Sequence, residues 1–252
     1  QSHSVAERLG RGGSGQAGVR LEPFEAWIDD WQMISPNSNL DQLNLSARGD
    51  DFSYDVTLHA TGPLVMQGAE GYSVKSASGQ ASYYYSQPSY QVTGTVLVEG
   101  ETLHVTGDAW LDHEWSSQPL EADQSGWDWF SLRFETGEKL MGFVLRGAES
   151  DFRSGTWISA EGLVTALPPG AFQAEPLDRT EVEGRKVPTR WRLRLPEQNL
   201  DITVEALNPK AWMATRFPYW EGPVRASGSH QGKGYLEMTG YSPTSSNSPV
   251  NP

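Results

Sequence analysis

Alternation of apolar and polar residues is the feature that most constrains the fold of this chain. In residues 52–60, five apolar side chains fall on one face of an extended strand and four polar ones fall on the other. A period of two residues is typical of a half-buried antiparallel strand. Helical periodicity is scarce, so the sequence predicts an all-β protein.

The same period recurs along most of the chain. It predicts further strands over residues 92–98, 103–110, 127–134, 140–146, 191–195, 202–206 and 235–241. The 26 glycines and 16 prolines suit the turns of a β-barrel or sandwich. The one helical signal is at residues 208–214, where Asn208 can cap and Pro209 suits a first helical position. We predict one short turn of helix there.

The length of the chain and a polar break suggest two domains. A chain of 252 residues can bury two cores. The acidic, polar stretch 116–125 separates two tryptophan-containing strands, so we place one domain at residues 1–120 and a second at 121–242. We expect the glycine-rich segment 11–18 to be loosely held and the tail 243–252 to be disordered.

Charge and composition exclude several function classes. The net charge is -13, from 19 Lys and Arg against 32 Asp and Glu, which opposes binding to nucleic acid. The chain has no cysteine, so it has no disulfide, thiol nucleophile or zinc-thiolate site. No run approaches the roughly 18 apolar residues that a membrane-spanning helix needs. The first residues lack the apolar core of a signal peptide, so any export signal lies outside this sequence.

Residues 107–134 concentrate the groups that could carry chemistry. They contain four of the ten tryptophans, the His113-Glu114 pair and several aspartates. Indoles and carboxylates in one segment suggest a pocket for a large apolar ligand with an acid beside it. The alternative is a tryptophan-rich strand pair that only forms core, because Trp usually buries its ring.

Asp128 is the candidate acid. It lies between Trp127 and Trp129, and alternation places it on the face of Phe130. Burial in an apolar pocket would raise the pKa of this carboxyl group and keep it protonated near neutral pH. The alternative is a carboxylate at a loop edge, bonded to a backbone amide or to Arg133.

The pleat divides residues 110–115 into two sets. Trp110, Asp112 and Glu114 share one face, and Leu111, His113 and Trp115 share the other. His113 could orient a water beside an aromatic wall, whereas Asp112 with Glu114 would form a carboxylate pair. A histidine flanked by carboxylates is also a common structural hydrogen-bond partner. The sequence leaves open which face lines a pocket.

Other polar groups are less informative. Tyr219 and Trp220 precede Glu221 and are candidate ligand contacts. We expect Glu237 to be solvated and Arg146 to pair with one of these glutamates. We predict no metal site, because the pleat directs His113 away from the neighbouring carboxylates and no second histidine follows at ligand spacing. A serine hydrolase is unsupported, since no GxSxG motif is present.

Several segments together resemble one known family, the hydroxyneurosporene synthase (carotenoid 1,2-hydratase) and AttH family. They are ERLGRGGSGQAG at 7–18, WIDDW at 27–31, GDAWLDHEWSS at 107–117, GWDWFSLRFETGEKLMGFVLR at 126–146, YWEGPVRASGS at 219–229 and GYLEMTGY at 234–241. The DHEW and GWDWFSL blocks are unusual enough to make the resemblance specific.

The resemblance implies two consecutive lipocalin-like antiparallel β-barrels. In that family the DHEW block closes the first barrel and the GWDW block opens the second. Family members begin the first barrel further upstream, with a TEWWY-like strand, so we expect a first barrel that is incomplete at its N-terminus. A second polypeptide could supply the missing strands, because open sheet edges favour pairing with another chain.

The resemblance also implies chemistry without a cofactor. Related proteins hydrate an isolated double bond of acyclic carotenoids, hydrate prenylated phenolics or catalyse pericyclic cyclisations. It favours His113, Trp115 and Asp128 as site residues, and we predict catalytic roles for Asp128, His113 and Glu114 and a hydrophobic isoprenoid or lipid-like ligand. The candidate ligand contacts are Trp110, Trp115, Trp127, Trp129, Tyr219 and Trp220. The alternative is a non-catalytic carrier that works with an exporter, and either function implies a periplasmic or secreted protein.

Overall fold

The computed structural model describes residues 5–37, 39–118 and 120–243. These residues form nineteen strands and one short 3-10 helix, Pro196–Gln198. All strand pairs with a defined register are antiparallel within two sheets, so the prediction of an all-β, lipocalin-like fold is confirmed. No helix among the described residues has the length and hydropathy to cross a membrane.

The first sheet contains nine strands. They are β1 (Ala17–Leu21), β2 (Phe24–Ile28), β3 (Trp31–Ile34), β4 (Gln42–Arg48), β5 (Phe52–Ala60), β6 (Val65–Met66), β7 (Tyr72–Val74), β8 (Ala81–Val98) and β9 (Glu101–Trp115). Strands β1 to β5 are neighbours in sequence order, and β8 pairs with β5, β6, β7 and β9. The long strand β8 is therefore the hub of this sheet.

The second sheet contains ten strands. They are β10 (Gly126–Phe134), β11 (Lys139–Arg146), β12 (Phe152–Ile158), β13 (Val164–Ala166), β14 (Gln173–Val182), β15 (Arg185–Leu195), β16 (Leu200–Ala206), β17 (Trp212–Met213), β18 (Tyr219–Gly228) and β19 (Gly232–Met238). The order is β13-β12-β11-β10-β19-β18-β16-β15-β14, with β17 beside β18. The last strand thus returns to pair with β10, the first.

Every strand that alternation predicted falls on an observed strand. Strand β5 matches the predicted range 52–60, and the other predicted ranges fall on β8, β9, β10, β11, β15, β16 and β19. Strand β19 ends at Met238, three residues before the predicted end. The segment 11–18 is not wholly irregular, because Gly12 forms a bridge with Ala17, the first residue of β1.

The predicted helix at residues 208–214 is wrong. The Asn208 side chain accepts a hydrogen bond from the Lys210 backbone amide at 3.1 Å, which closes a turn instead of capping a helix. The chain then extends, and Trp212 pairs with Trp220 of β18. The Trp212 ring is buried in the second core, so the chain cannot continue here as an exposed helix.

The second sheet surrounds a large apolar core. Trp157, Trp191 and Trp220 are buried in it, together with most of the inward residues of the sheet. The Phe130 ring lies edge-on to the Trp191 ring, with 5.3 Å between centroids. The Phe172 ring covers Gly142 so closely that a Cβ there would lie 2.7 Å from its Cζ atom. Side chains therefore fill the space between these strands.

The first sheet has a smaller core. Leu43, Leu58 and Tyr90 are buried together, and the Tyr90 hydroxyl donates to the Leu40 carbonyl at 2.7 Å. Leu111 of β9 packs against this cluster. Alternation along β9 therefore directs Ala109 and Leu111 toward this core.

The chain divides into two compact units. One contains Met66–Tyr84 and the residues from Glu114 onward, and the other contains the described residues up to Val65 with Tyr85–His113. The domain ranges 1–120 and 121–242 stay predictions. Residues 244–252 of the predicted disordered tail lie outside the described residues.

Candidate functional site

Asp128 lies on the inward face of β10. It shares that face with Phe130 and Leu132, as alternation predicts, and only 1% of its surface is exposed. Its directly paired neighbours are Val144 of β11 and Met238 of β19, both buried. A carboxyl group is thus placed among apolar side chains at one end of a packed β-sheet core.

The Asp128 carboxyl group is held by two donors. Arg146 donates from Nη1 at 2.6 Å and the Tyr241 hydroxyl donates at 2.9 Å. Both bonds end on Oδ1, so Oδ2 is the oxygen that remains for other chemistry. Arg146 also donates to the Thr239 carbonyl, and its guanidinium lies 4.3 Å from the centre of the Tyr241 ring.

These contacts correct two expectations from the sequence. Asp128 is bonded to Arg146 and Tyr241, and not to Arg133 or a backbone amide. Arg146 is the ion-pair partner of Asp128, and not of a glutamate in the last strands. Pairing of Gly126 with Arg146 in the β10–β11 register explains why the guanidinium reaches this carboxyl group.

Burial dominates the electrostatics of Asp128. Loss of hydration raises the pKa of the carboxyl group, while the Arg146 charge and the two hydrogen bonds lower it, and the net direction is upward. The pKa of Tyr241 is also raised, chiefly by burial and by the neighbouring Asp128 charge. The Tyr241 hydroxyl therefore keeps its proton and remains a donor.

The two tryptophans beside Asp128 take the opposite face of β10. The Trp127 indole donates to Glu237 Oε1 at 2.7 Å, and the Trp129 indole donates to the Tyr84 hydroxyl at 3.1 Å. Glu237 is therefore half-buried and bonded, although the sequence suggested a solvated side chain. The rings of Trp127 and Trp129 do not share the face of the candidate acid.

Glu114 lies in the same compact unit and carries its own partners. Its Oε1 accepts from the Ser82 hydroxyl and lies 2.7 Å from Lys75 Nζ. The Lys75 ammonium group is placed 4.2 Å from the centre of the Phe143 ring. Glu114 is therefore a carboxylate paired with a cation that itself lies over an aromatic ring.

Trp115 is half-exposed. Its ring stacks on that of Tyr83, with centroids 5.7 Å apart, and 50% of its surface is exposed. Tyr72 packs edge-on against Tyr83 at 6.2 Å. These three rings form an aromatic row on β7, β8 and the end of β9.

His113, Asp112 and Trp110 belong to the other compact unit. His113 Nδ1 lies 2.8 Å from the Tyr85 hydroxyl. Asp112 accepts from the Trp110 indole at 2.7 Å and from the Ser86 hydroxyl. Asp112 and His113 of the DHEW block thus have structural partners on β8, and the Trp110 ring is fixed by its own strand.

The two aromatic residues predicted on β18 have different environments. Trp220 is completely buried in the second core, and its indole donates to the Pro209 carbonyl at 3.0 Å. Tyr219 is half-buried, and its hydroxyl donates to Glu221 at 3.0 Å. Trp220 is therefore a core residue, whereas part of the Tyr219 ring is accessible.

Sequence reasoning missed Tyr241 and Lys75. Tyr241 reaches Asp128 because the Thr239 backbone amide donates to the Trp127 carbonyl, which extends the pairing beyond the end of β19. Only the strand register reveals this contact, since 113 residues separate the two side chains. Lys75 lies in a short segment whose sequence shows no periodic signal.

The described part of the chain contains no group of three or more His, Asp or Glu side chains arranged to hold a metal ion. Asp128, Asp112 and Glu114 each accept hydrogen bonds from neighbouring side chains.

Comparisons with known proteins agree with this architecture. A family model described as AttH-like matches residues 1–241. An AttH structure from Nitrosomonas europaea aligns with a TM-score of 0.79 at 31% identity, covering 86% of this chain and 70% of that one. Kievitone hydratase from Nectria haematococca aligns with a TM-score of 0.71 at 21% identity, with the same coverage of both chains. Curated proteins provide no match to this chain.

Proposed function

This chain belongs to the AttH-like family, and on that premise we propose that it binds a hydrophobic isoprenoid or lipid-like molecule and hydrates one of its carbon–carbon double bonds. The reaction would proceed by acid catalysis and would need no cofactor. The fold shared with kievitone hydratase is compatible with such an activity. The acyclic-carotenoid substrate of hydroxyneurosporene synthase is the specific substrate class that we propose to test first.

The buried carboxyl group of Asp128 carries this proposal. Protonation of an alkene needs an acid that is still protonated near neutral pH, and burial raises the pKa of Asp128 in that direction. Oδ1 already accepts from Arg146 and Tyr241, so the transferable proton resides on Oδ2. The two donors on Oδ1 stabilise the carboxylate after the proton has left.

The proposed reaction consumes one water molecule and regenerates the Asp128 carboxyl group. The π electrons of the alkene take the proton of Asp128 Oδ2, which forms a carbon–hydrogen bond and leaves a tertiary carbocation. Water adds to that carbon, and the Asp128 carboxylate accepts the proton that the water loses. The acid is thereby regenerated, and the product is a tertiary alcohol.

His113 and Glu114 have less support as participants. His113 contacts Tyr85, and Glu114 is paired with Lys75, so each has a structural role in the geometry described above. Their catalytic roles stay predictions.

The ion pair between Asp128 and Arg146 favours a second candidate function. A buried carboxylate that is matched by a guanidinium at 2.6 Å is a common structural arrangement. A protein in which this pair only stabilises the second core could still bind an apolar molecule elsewhere. We therefore propose a non-catalytic carrier, working with an exporter, as the alternative.

One variant distinguishes the two functions. The parent protein, Asp128→Asn and a matched control, Asp178→Asn, are incubated with an acyclic carotenoid or a prenylated phenol in ¹⁸O-labelled water. Asp178 is a suitable control because it is solvent-exposed and paired with Arg190 on strands of the same sheet. Mass spectrometry measures incorporation of labelled water into the product.

We expect labelled alcohol from the parent and from Asp178→Asn, and none from Asp128→Asn. Equal turnover by Asp128→Asn would show that Asp128 is not the acid. Ligand binding without turnover in all three proteins would support the carrier. Near-ultraviolet circular dichroism on each variant checks that the fold is retained.

A further inference from the structure

Segments 7–18 and 27–31 contact each other near the first strands of the first sheet, and the proposed function gives neither of them a role. Arg8, in segment 7–18, reaches the Asp29–Asp30 turn in segment 27–31. Its guanidinium pairs with Asp30 and lies 3.7 Å from Asp29 Oδ2. The same guanidinium lies 4.5 Å from the centre of the Trp31 ring. An arginine is thus held by an aromatic face and two carboxylates.

The groups that receive Arg8 are positioned by the sheet itself. Asp29 has a φ of 52°, which permits the two-residue turn between β2 and β3 and places Asp30 beside Trp31. The Trp31 indole donates to the Arg48 carbonyl at 2.8 Å, and the Arg48 guanidinium also pairs with Asp30. The ring and the carboxylate therefore keep these restraints if Arg8 withdraws.

Arg8 itself comes from a less restrained segment. Residues 5–11 belong to no strand, and side-chain contacts such as those of Arg8 attach them to the sheet. A cleft of about 750 Å³ lies between this arm, Trp31 and residues 48–52. This volume is within the range of small-molecule sites. The charged residues that line the cleft are Glu7, Asp50 and Asp51 with Arg8 and Arg48, so its walls carry three carboxylates and two guanidinium groups.

From this arrangement we propose that the cleft binds a small organic cation with a guanidinium group, and that Arg8 occupies the site in the absence of that ligand. A guanidinium over an indole face, paired with a carboxylate, is a recognised mode of cation binding. The excess of acidic side chains disfavours an anion at the same position. This site is separate from Asp128 and does not depend on the proposed hydration.

The experiment measures binding of agmatine, a small guanidinium compound, by isothermal titration calorimetry. The proteins are the parent, Arg8→Ala and Arg20→Ala. Arg20 is a matched control, because it pairs with Glu25 at 2.8 Å and lies 5.9 Å from the Trp27 ring centre, but it does not line the cleft. Removing the internal occupant should lower the Kd of Arg8→Ala by at least ~10-fold relative to the parent.

We expect Arg20→Ala to bind agmatine no better than the parent. Introducing Asp30→Asn into Arg8→Ala should abolish the gained affinity. Equal affinity of Arg8→Ala and the parent, or equal gains in Arg8→Ala and Arg20→Ala, would overturn the proposal.

A second measurement uses the parent protein and avoids any loss of folding in the variants. Saturating agmatine should increase deuterium uptake by residues 5–11, because the arm is displaced, while uptake by β10 and β19 stays constant. Unchanged uptake by the arm would also contradict the proposal.

Discussion

At the scale of single residues, Asp128 is subject to two opposing influences. Val144 and Met238 beside it remove water and favour the neutral acid, whereas Arg146 favours the carboxylate. Desolvation is the larger of the two, so the pKa is raised. The balance determines whether this side chain can act as an acid or serves only as an ion-pair partner.

This balance predicts how stability depends on pH. The pKa of Asp128 is raised above its ordinary value of 3.8, so above that pH the folded protein binds more protons than the unfolded chain. The contribution of Asp128 to stability is therefore complete below about pH 4 and decreases as the pH rises toward the folded-state pKa. Asp128→Asn lacks this ionisation.

Urea unfolding of the parent and Asp128→Asn between about pH 3.5 and pH 7 measures the effect. We expect the free energy of unfolding of the parent to decrease relative to that of the variant as the pH rises. A relative increase would mean that Arg146 lowers the pKa of Asp128 more than burial raises it.

The sequence predicted part of this residue-scale arrangement. A period of two residues placed Asp128 on the face of Phe130, which needs only local information. The partners of Asp128 could not be predicted in the same way. The register of β11 on β10 brings Arg146 to Asp128, and the register of β19 on β10 brings Tyr241 to it. Strand register depends on the packing of the whole sheet.

At the scale of strands and turns, the decisive interactions are also nonlocal. The signals at residues 208–214 favour a helix, but a buried Trp212 that pairs with Trp220 contributes more than one turn of helix could. The short strands β6 and β7 carry too few residues for a period to be recognised. Alternation therefore missed these two short strands, and it also gave no prediction for the ten-residue strands β14 and β18.

Close packing between strands predicts that a larger residue at Gly142 strongly lowers the free energy of unfolding. A Cβ there would meet the Phe172 ring at 2.7 Å, and this ring is fully buried against Phe130. We expect Gly142→Ala to lower the free energy of unfolding by about 1–3 kcal/mol, as overpacking of a filled core usually does. Chemical denaturation measures the change.

Gly107→Ala is the matched control for this prediction. Gly107 also lies within a strand, β9, but no atom within 4 Å would meet its Cβ. We expect its free energy of unfolding to stay within about 0.5 kcal/mol of the parent value. Comparable losses in the two variants would show that backbone effects, and not contact with Phe172, cause the destabilisation.

At the scale of the whole molecule, the fold and the family were predictable from sequence blocks, whereas the blocks do not determine whether the protein is an enzyme or a carrier. The DHEW and GWDW segments lie on β9 and β10 as the family resemblance implied. One lipocalin-like scaffold can serve hydration or transport. Under the proposed function, hydration differs from transport in requiring proton transfer by Asp128, and turnover kinetics measures that step.

The first sheet predicts association with another strand. Among the strands of the described residues, β9 pairs only with β8, although β9 is fifteen residues long. A long edge of this kind is a site for strand addition. We therefore propose that a second polypeptide pairs with β9.

Native mass spectrometry of the purified chain tests this association. We expect a complex with a second polypeptide, and limited proteolysis should show that β9 is protected within it. A chain that remains uncomplexed in the presence of cell extract from its own source would contradict the proposal. Extraction of the same sample identifies any apolar molecule bound to the protein.

The distribution of tryptophans also makes intrinsic fluorescence a probe of one half of this molecule. Trp157, Trp191, Trp212 and Trp220 lie in the second core, while Trp115 is half-exposed. Blue-shifted fluorescence should therefore originate largely from the second sheet. Loss of that emission during unfolding would report separation of those strands, so the stability of this half can be followed without an added probe.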